Sequence, residues 1–249
     1  PLVVEGDGKA DEVVALANRH FGALPARALP ERKPQAEPAQ LGEKRIVVKA
    51  PAQLPYLLMV WHAPTLKDWE KDTTPYVLQI LAGVMSGNDS ARLQKSLVKT
   101  RQIAVNASAG YDAVARGPGL FMIDATPAQG QSMAALEQAV RAEIARIQRD
   151  GISEAELARV KAQVIAADVY QRDSLFYQAM QLGEYVTAGL PPEALARRVD
   201  KLRAVTAKEV QAAAQQWLQN DRLSVAELEP QALNPQARRA AVPGVRHVN

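Results

Sequence analysis

The sequence predicts an α+β fold in which helices are layered on an antiparallel sheet. Three observations predict it. Short apolar runs of strand length lie at 45–48, 54–61, 103–111 and 120–125; capped helical segments fill most of residues 133–217; and a last strand-like run follows at 222–228.

Taken in order, the chain opens on Pro1-Leu2-Val3-Val4-Glu5-Gly6-Asp7, which reads as a strand entering a turn. Val13, Leu16, Ala17 and Phe21 then recur at helical spacing and predict a helix over 10–21. Prolines at 25, 30, 34 and 38 leave 24–44 unable to hold a helix or an interior strand, so it reads as an extended linker. After two strands, Thr74 caps a helix with Pro75 at its first position and Gly87 as its stop. Asp89 or Ser90 caps a short helix carrying Leu93 and Leu97. Alternation through Ile103, Val105, Ala107, Ala109 and Tyr111, the turn Arg116-Gly117-Pro118-Gly119 and the run 120–125 predict an antiparallel hairpin. Met133, Leu136, Val140, Ile144 and Ile147 form a helical stripe that ends at Gly151. Ser153 with Glu156, and Thr206 with Glu209, have capping-box spacing. Between them helices are predicted over 154–171, 174–188 and 192–203. The proline-containing end, 230–249, reads as a tail.

Composition narrows the chemistry. The 249 residues include no cysteine, which excludes disulfides, thiolate zinc sites and a cysteine nucleophile. A net charge of +3 with 5% aromatic residues gives little basis for nucleic-acid binding. The densest apolar run, 54–60, is far shorter than the roughly 20 residues of a membrane span. Of the three histidines, His20, His62 and His247, none has a second histidine or a carboxylate three or four residues on, so they read as structural or solvent-facing. Ser86-Gly87-Asn88-Asp89-Ser90 feeds a helix start and is either an anion loop or a helix-to-helix turn; its composition favours the turn. Glu154 and Glu156 sit where a helix dipole favours acids in any case. Asp112 and Asp124 flank the hairpin. Asp124, inside Phe121-Met122-Ile123-Asp124-Ala125, is either a buried functional acid or, as alternation favours, solvent-facing. Arg92, Arg101 and Arg116 read as a solvated basic edge rather than a carboxylate or peptide site. By spacing alone no catalytic or metal-binding residue is assigned, and the substrate-binding residues are left unknown.

Several local motifs in this order resemble the pitrilysin/insulinase zinc peptidases, the family of the mitochondrial processing peptidase. They are Val3-Val4-Glu5-Gly6-Asp7 with His20-Phe21-Gly22, Pro55-Tyr56 with Trp61-His62-Ala63-Pro64, residues 81–87, Asp89-Ser90-Ala91-Arg92-Leu93, and Gly151-Ile152-Ser153-Glu154-Ala155-Glu156-Leu157. The resemblance implies a two-domain subunit in which only the first domain carries the zinc motif H-x-x-E-H. It places residues 1–23 at the end of that domain, 24–44 in the linker and 45–229 in an inactive second domain, within a chain cut from a longer precursor. Matched by the terminal glycine, the two histidine positions fall on Leu78 and Ala82, and the glutamate on Leu81. An arginine–tyrosine pair that holds substrate in many members falls on Val98 and Val105, so neither role carries over; Arg101 is out of register.

What the resemblance implies for function is a non-catalytic domain that helps enclose peptide substrate opposite a zinc-bearing domain. Zinc is expected in the parent protein's N-terminal domain and no cofactor in this chain. The expected partners are peptide substrate and a second peptidase-family subunit, in a homo- or heterodimer, with no nucleic acid and no membrane span; the expected compartment is the periplasm, or otherwise the cytoplasm. The alternative is a structural or assembly subunit of the same fold, similar to a respiratory-complex core protein.

Overall fold

The computed structural model describes residues 2–28 and 37–233. Within them, helix α1 (Ala10–Phe21) precedes strands β1 (Lys44–Pro51) and β2 (Tyr56–Ala63) and helix α2 (Thr74–Ser86). The hairpin is β3 (Ala104–Tyr111) and β4 (Gly119–Pro127). Helices α3 (Met133–Asp150), α4 (Glu154–Gln171), α5 (Leu175–Ala188), α6 (Pro192–Ala204) and α7 (Ala207–Trp217) lead to β5 (Leu223–Gln231).

Helix α2 organises the interior. Its sequence has no polar face, and ten of its thirteen residues are buried. It packs on β3 beneath and against α4, α6 and α7 around it, so the molecule has a sheet layer, a central helix and an outer helical layer. Gly83 permits the closest of these approaches: a Cβ there would stand 2.8 Å from Val160 Cγ1 and 3.3 Å from Val164 Cγ2 on α4. The helix begins one residue earlier than its proline signals. Thr74 is already helical, and Asp72 Oδ1 accepts its amide at 3.0 Å.

The sheet runs β1-β5-β2-β4-β3. All neighbours are antiparallel except β1 and β5, which pair in parallel from Lys44↔Ser224 to Pro51↔Gln231. The sheet is therefore mixed, not wholly antiparallel. The long intervening chain supplies the crossover that a parallel pair requires, and β5 inserts between β1 and β2. Residues 2–5 form no strand, having no ladder partner among the described residues. The short helix after residue 90 is instead a π-helix over Gln94–Thr100, closed by the Arg101 amide on Ser96 O at 2.9 Å. Leu93 and Leu97 still point into the core.

Side-chain caps start three of the helices, α3, α4 and α7. Thr206 and Glu209 form a full capping box. Ser153 Oγ accepts the Glu156 amide at 3.1 Å, but the Glu156 carboxylate reaches away to Arg92 rather than back to the cap. Gly151 (φ +70°) and Gly189 (φ +90°) end α3 and α5 in backbone that favours glycine.

An ionic clip fastens the edge strand to the helices. Arg45 on β1 holds Glu137 on α3 through both guanidinium nitrogens at 2.9 Å, while Arg141 joins Glu137 at 2.7 Å and Glu43 at 2.8 Å. Burial alone pushes the Glu137 carboxyl up. Hydrogen bonds and charge from Arg45 and Arg141 outweigh it, and the group lies below its ordinary value. A depressed carboxyl adds stability that is full above its unfolded pKa and lost as pH falls through the native one. Glu137→Gln is therefore expected to lower unfolding free energy by about 2 kcal/mol at neutral pH, with the difference closing below about pH 4. Urea titrations across pH measure this. In the same assay, Gly83→Leu is expected to cost about 3 kcal/mol by forcing α4 off α2.

Candidate functional site

Side chains alternate cleanly across the sheet. Leu57, Met59 and Trp61 of β2, Phe121, Ile123 and Ala125 of β4, and Leu223 and Val225 of β5 are buried under the helices. Their neighbours face the other way and no described element covers them. This open face carries Ile46 and Val48 from β1, Tyr56, Leu58 and Val60 from β2, and Leu120 and Met122 from β4. Ile46 is 56% exposed and Met122 40% exposed. A sheet face this apolar in water marks a surface built to meet something else.

Asp124 sits on that face, half-buried, opposite Leu58 on one side and Ser108 on the other. The Ser108 hydroxyl donates to its Oδ1. Tyr56 lies on the same face: burial first, then the nearby Asp124 charge, raise the phenol above its ordinary value. Of the two sequence readings for Asp124, neither holds alone, since it is on the open side yet partly enclosed.

The remaining sequence candidates scatter. His20 is exposed on α1, and His62 is exposed at the end of β2, 3.6 Å from Glu37. His247 lies outside the described residues. Residues 86–90 form a helix-to-helix turn, with Ser86 Oγ accepting the Ala109 amide at 2.7 Å and donating to Ala109 O. Asp112 Oδ1 accepts the Val114 amide at 2.9 Å. Glu154 is exposed, while Glu156 is held by Arg92 in a two-pronged pair at 2.8 and 2.9 Å. Arg92 also donates to Gly151 O, so it is an internal brace rather than part of a solvated edge. Arg101 and Arg116 are exposed.

The helix matched to a zinc helix offers no ligands. Leu78 and Leu81 are fully buried and Ala82 nearly so. Zinc needs imidazole, thiolate or carboxylate donors, so these residues do not fit the metal. Among the described residues no three His, Cys, Asp or Glu side chains gather to hold one. Val98 is half-buried and Val105 is 60% exposed, and neither offers a hydrogen bond to substrate. Sequence reasoning missed a second apolar surface at the α4–α5 corner, where Tyr170 and Phe176 are both 72% exposed. No helix among the described residues is long and apolar enough to cross a membrane.

The fold and the ligand-free central helix define a metallopeptidase-like domain without a metal centre in its described part. The comparisons agree: residues 2–164 match the peptidase M16 inactive domain, and the chain belongs to that family. It is 25% identical over 233 residues to an uncharacterised zinc protease of Mycobacterium leprae, covering 93% of this chain and 51% of that protein. A protease from Helicobacter pylori superposes with a TM-score of 0.82 at 20% identity, over 91% of this chain and 54% of that one. The periplasmic protease PqqL from Escherichia coli gives 0.72 at 17% identity, over 98% of this chain and 30% of that one. At these identities the structural likeness is one of fold. The chain spans about half the length of the curated relative it matches.

The buried matched helix yields a direct expectation. Introducing Leu78→His, Leu81→Glu and Ala82→His together is expected to unfold the domain, each buried polar group costing about 1–3 kcal/mol, rather than create a zinc site. Circular dichroism with metal analysis reports both outcomes.

Proposed function

We propose that this chain is the non-catalytic half of a zinc-dependent peptidase, and that its open sheet face lines the space in which peptide is held opposite a zinc-bearing domain. The observation that carries the reading is the one-sided sheet, whose uncovered face is apolar in a family otherwise known for proteolysis. An enclosing wall needs a closed core behind it and an adhesive surface before it, and the two faces have those characters. In this reading residues 1–23 end the upstream domain and the following segment links it to the inactive domain, which runs from Lys44 to Gln231 rather than 45–229, because the β1–β5 ladder takes Lys44 from the expected linker and Pro230 and Gln231 from the expected tail.

Zinc belongs to the parent protein's N-terminal domain. Val98 and Val105 supply no substrate-holding pair, so a second peptidase-family subunit provides the arginine and tyrosine. The compartment is the periplasm, the setting named for the Escherichia coli neighbour.

The test compares the full parent protein, with its partner subunit, against residues 1–249. Metal analysis is expected to find zinc in the parent and none in the shorter chain, and chelator-sensitive cleavage of peptides only by the parent. Zinc or cleavage in the shorter chain contradicts the reading. A parent without either contradicts it too, and favours an assembly role.

A further inference from the structure

Two exposed apolar surfaces lie away from the open sheet face, and they adjoin. The first is the α4–α5 corner. Tyr170 near the end of α4, and Leu175 and Phe176 at the start of α5, are each more than half exposed. The rings of Phe176 and Tyr177 stand edge to face, 5.8 Å apart, so the corner presents an aromatic ridge. It is confined: further back along α4 the large exposed residues are Glu154, Arg159 and Gln163. The second surface belongs to residues 2–24. Leu2 and Val4 are more than half exposed and have no ladder partner among the described residues. Helix α1 has an apolar side, through Val13, Val14, Ala17 and Phe21, yet none of its residues is buried. A helix of 12 residues owes its stability in water to the packing of such a side. A strand-like segment and a helix that both leave their apolar sides bare belong to a core that the described residues do not complete.

The two surfaces adjoin on α5. Val3, between Leu2 and Val4, turns inward: a Cβ at Gly183 would stand 3.9 Å from Val3 Cγ2. Glu5 shares a small cavity with Leu182 of α5 and Leu195 of α6. Phe176 and Gly183 are two helical turns apart and so lie on one side of α5. The segment therefore crosses α5 about 10 Å along the helix from the aromatic ridge. Whatever completes the core of residues 2–24 stands beside Phe176.

We propose that the α4–α5 corner is the docking seat of the upstream domain, whose core takes in residues 2–24 and whose apolar rim closes over Tyr170, Leu175 and Phe176. The assignment rests on the part of the reading above in which residues 1–23 end that domain. It names the contact between the two halves and puts it in the helical layer, so docking there leaves the open sheet face bare. A second subunit has no tether to this spot, whereas the upstream domain is held beside it by its own chain.

The experiment uses the full parent protein, made cysteine-free, with Phe176→Cys or Arg159→Cys as its single thiol. Without the partner subunit, a small maleimide is expected to modify Phe176→Cys about tenfold more slowly than Arg159→Cys, and the two at equal rates in urea. A protease site placed in the proline-rich linker then lets the parent be cut. The halves are expected to sediment together, and Tyr170→Asp with Phe176→Asp to weaken their association about thirtyfold at unchanged zinc content. Both side chains are exposed in this domain, so its own folding survives the substitutions. Equal maleimide rates in a folded parent that binds zinc and cleaves peptide overturn the seat and leave the proposed function standing. Protection that appears only when the partner subunit is added assigns the corner to that subunit and overturns the seat as well. So do halves that associate equally well with and without the two substitutions. Protection and weakened association in a parent that holds no zinc keep the seat and remove the peptidase reading.

Discussion

Everything in this fold answers to a helix with no polar side. An amphipathic helix needs one partner surface, but α2 must be surrounded. The sheet takes one flank, α4, α6 and α7 take the others, and Gly83 lets α4 close in. The same constraint decides the chemistry. Positions that would present metal ligands on the matched helix, Leu78, Leu81 and Ala82, are spent on the core, and burial of three polar groups there would dismantle the layers.

Surrounding α2 uses the helices on one side of the sheet and leaves the other side bare. The bare face is not polar, as a solvated antiparallel sheet face usually is. It is a largely apolar surface crossing β1, β5, β2 and β4, with Ala226 and Leu228 of β5 between the β1 and β2 side chains and one carboxylate near the β3 edge. The clip from Arg45 to Glu137 matters here because β1 is exposed along nearly its whole length; the clip and its parallel ladder with β5 hold it in plane. Arg92 plays a comparable part inside, tying the segment before the π-helix to the start of α4 through Glu156.

Local signals in the sequence found local structure. The turn at 116–119, the Thr206–Glu209 box and the stop glycines at 151 and 189 mark their elements, because each acts within a few residues. What escaped was non-local. Lys44 pairs with Ser224 across most of the chain, and no periodicity near either strand announces a parallel partner. Arg92 looked like surface because its acid, Glu156, lies 64 residues on. The site divides the same way. Alternation placed Asp124 on the outward side of its strand, but its enclosure depends on Ser108 and Tyr56 from neighbouring strands. The family motifs carried the inactive-domain assignment further than composition or spacing could.

The central claim is that the open sheet face looks into an enclosed space while the outer helices face solvent. The described chain's own lack of cysteine makes this measurable by single-cysteine labelling in a cysteine-free parent. Met122→Cys stands on the open face and Arg159→Cys on the outside of α4. The account predicts that a small maleimide modifies both, whereas a bulky polymer-linked maleimide modifies Arg159→Cys readily and Met122→Cys at least tenfold more slowly. Equal rates for the bulky reagent at the two positions would contradict it.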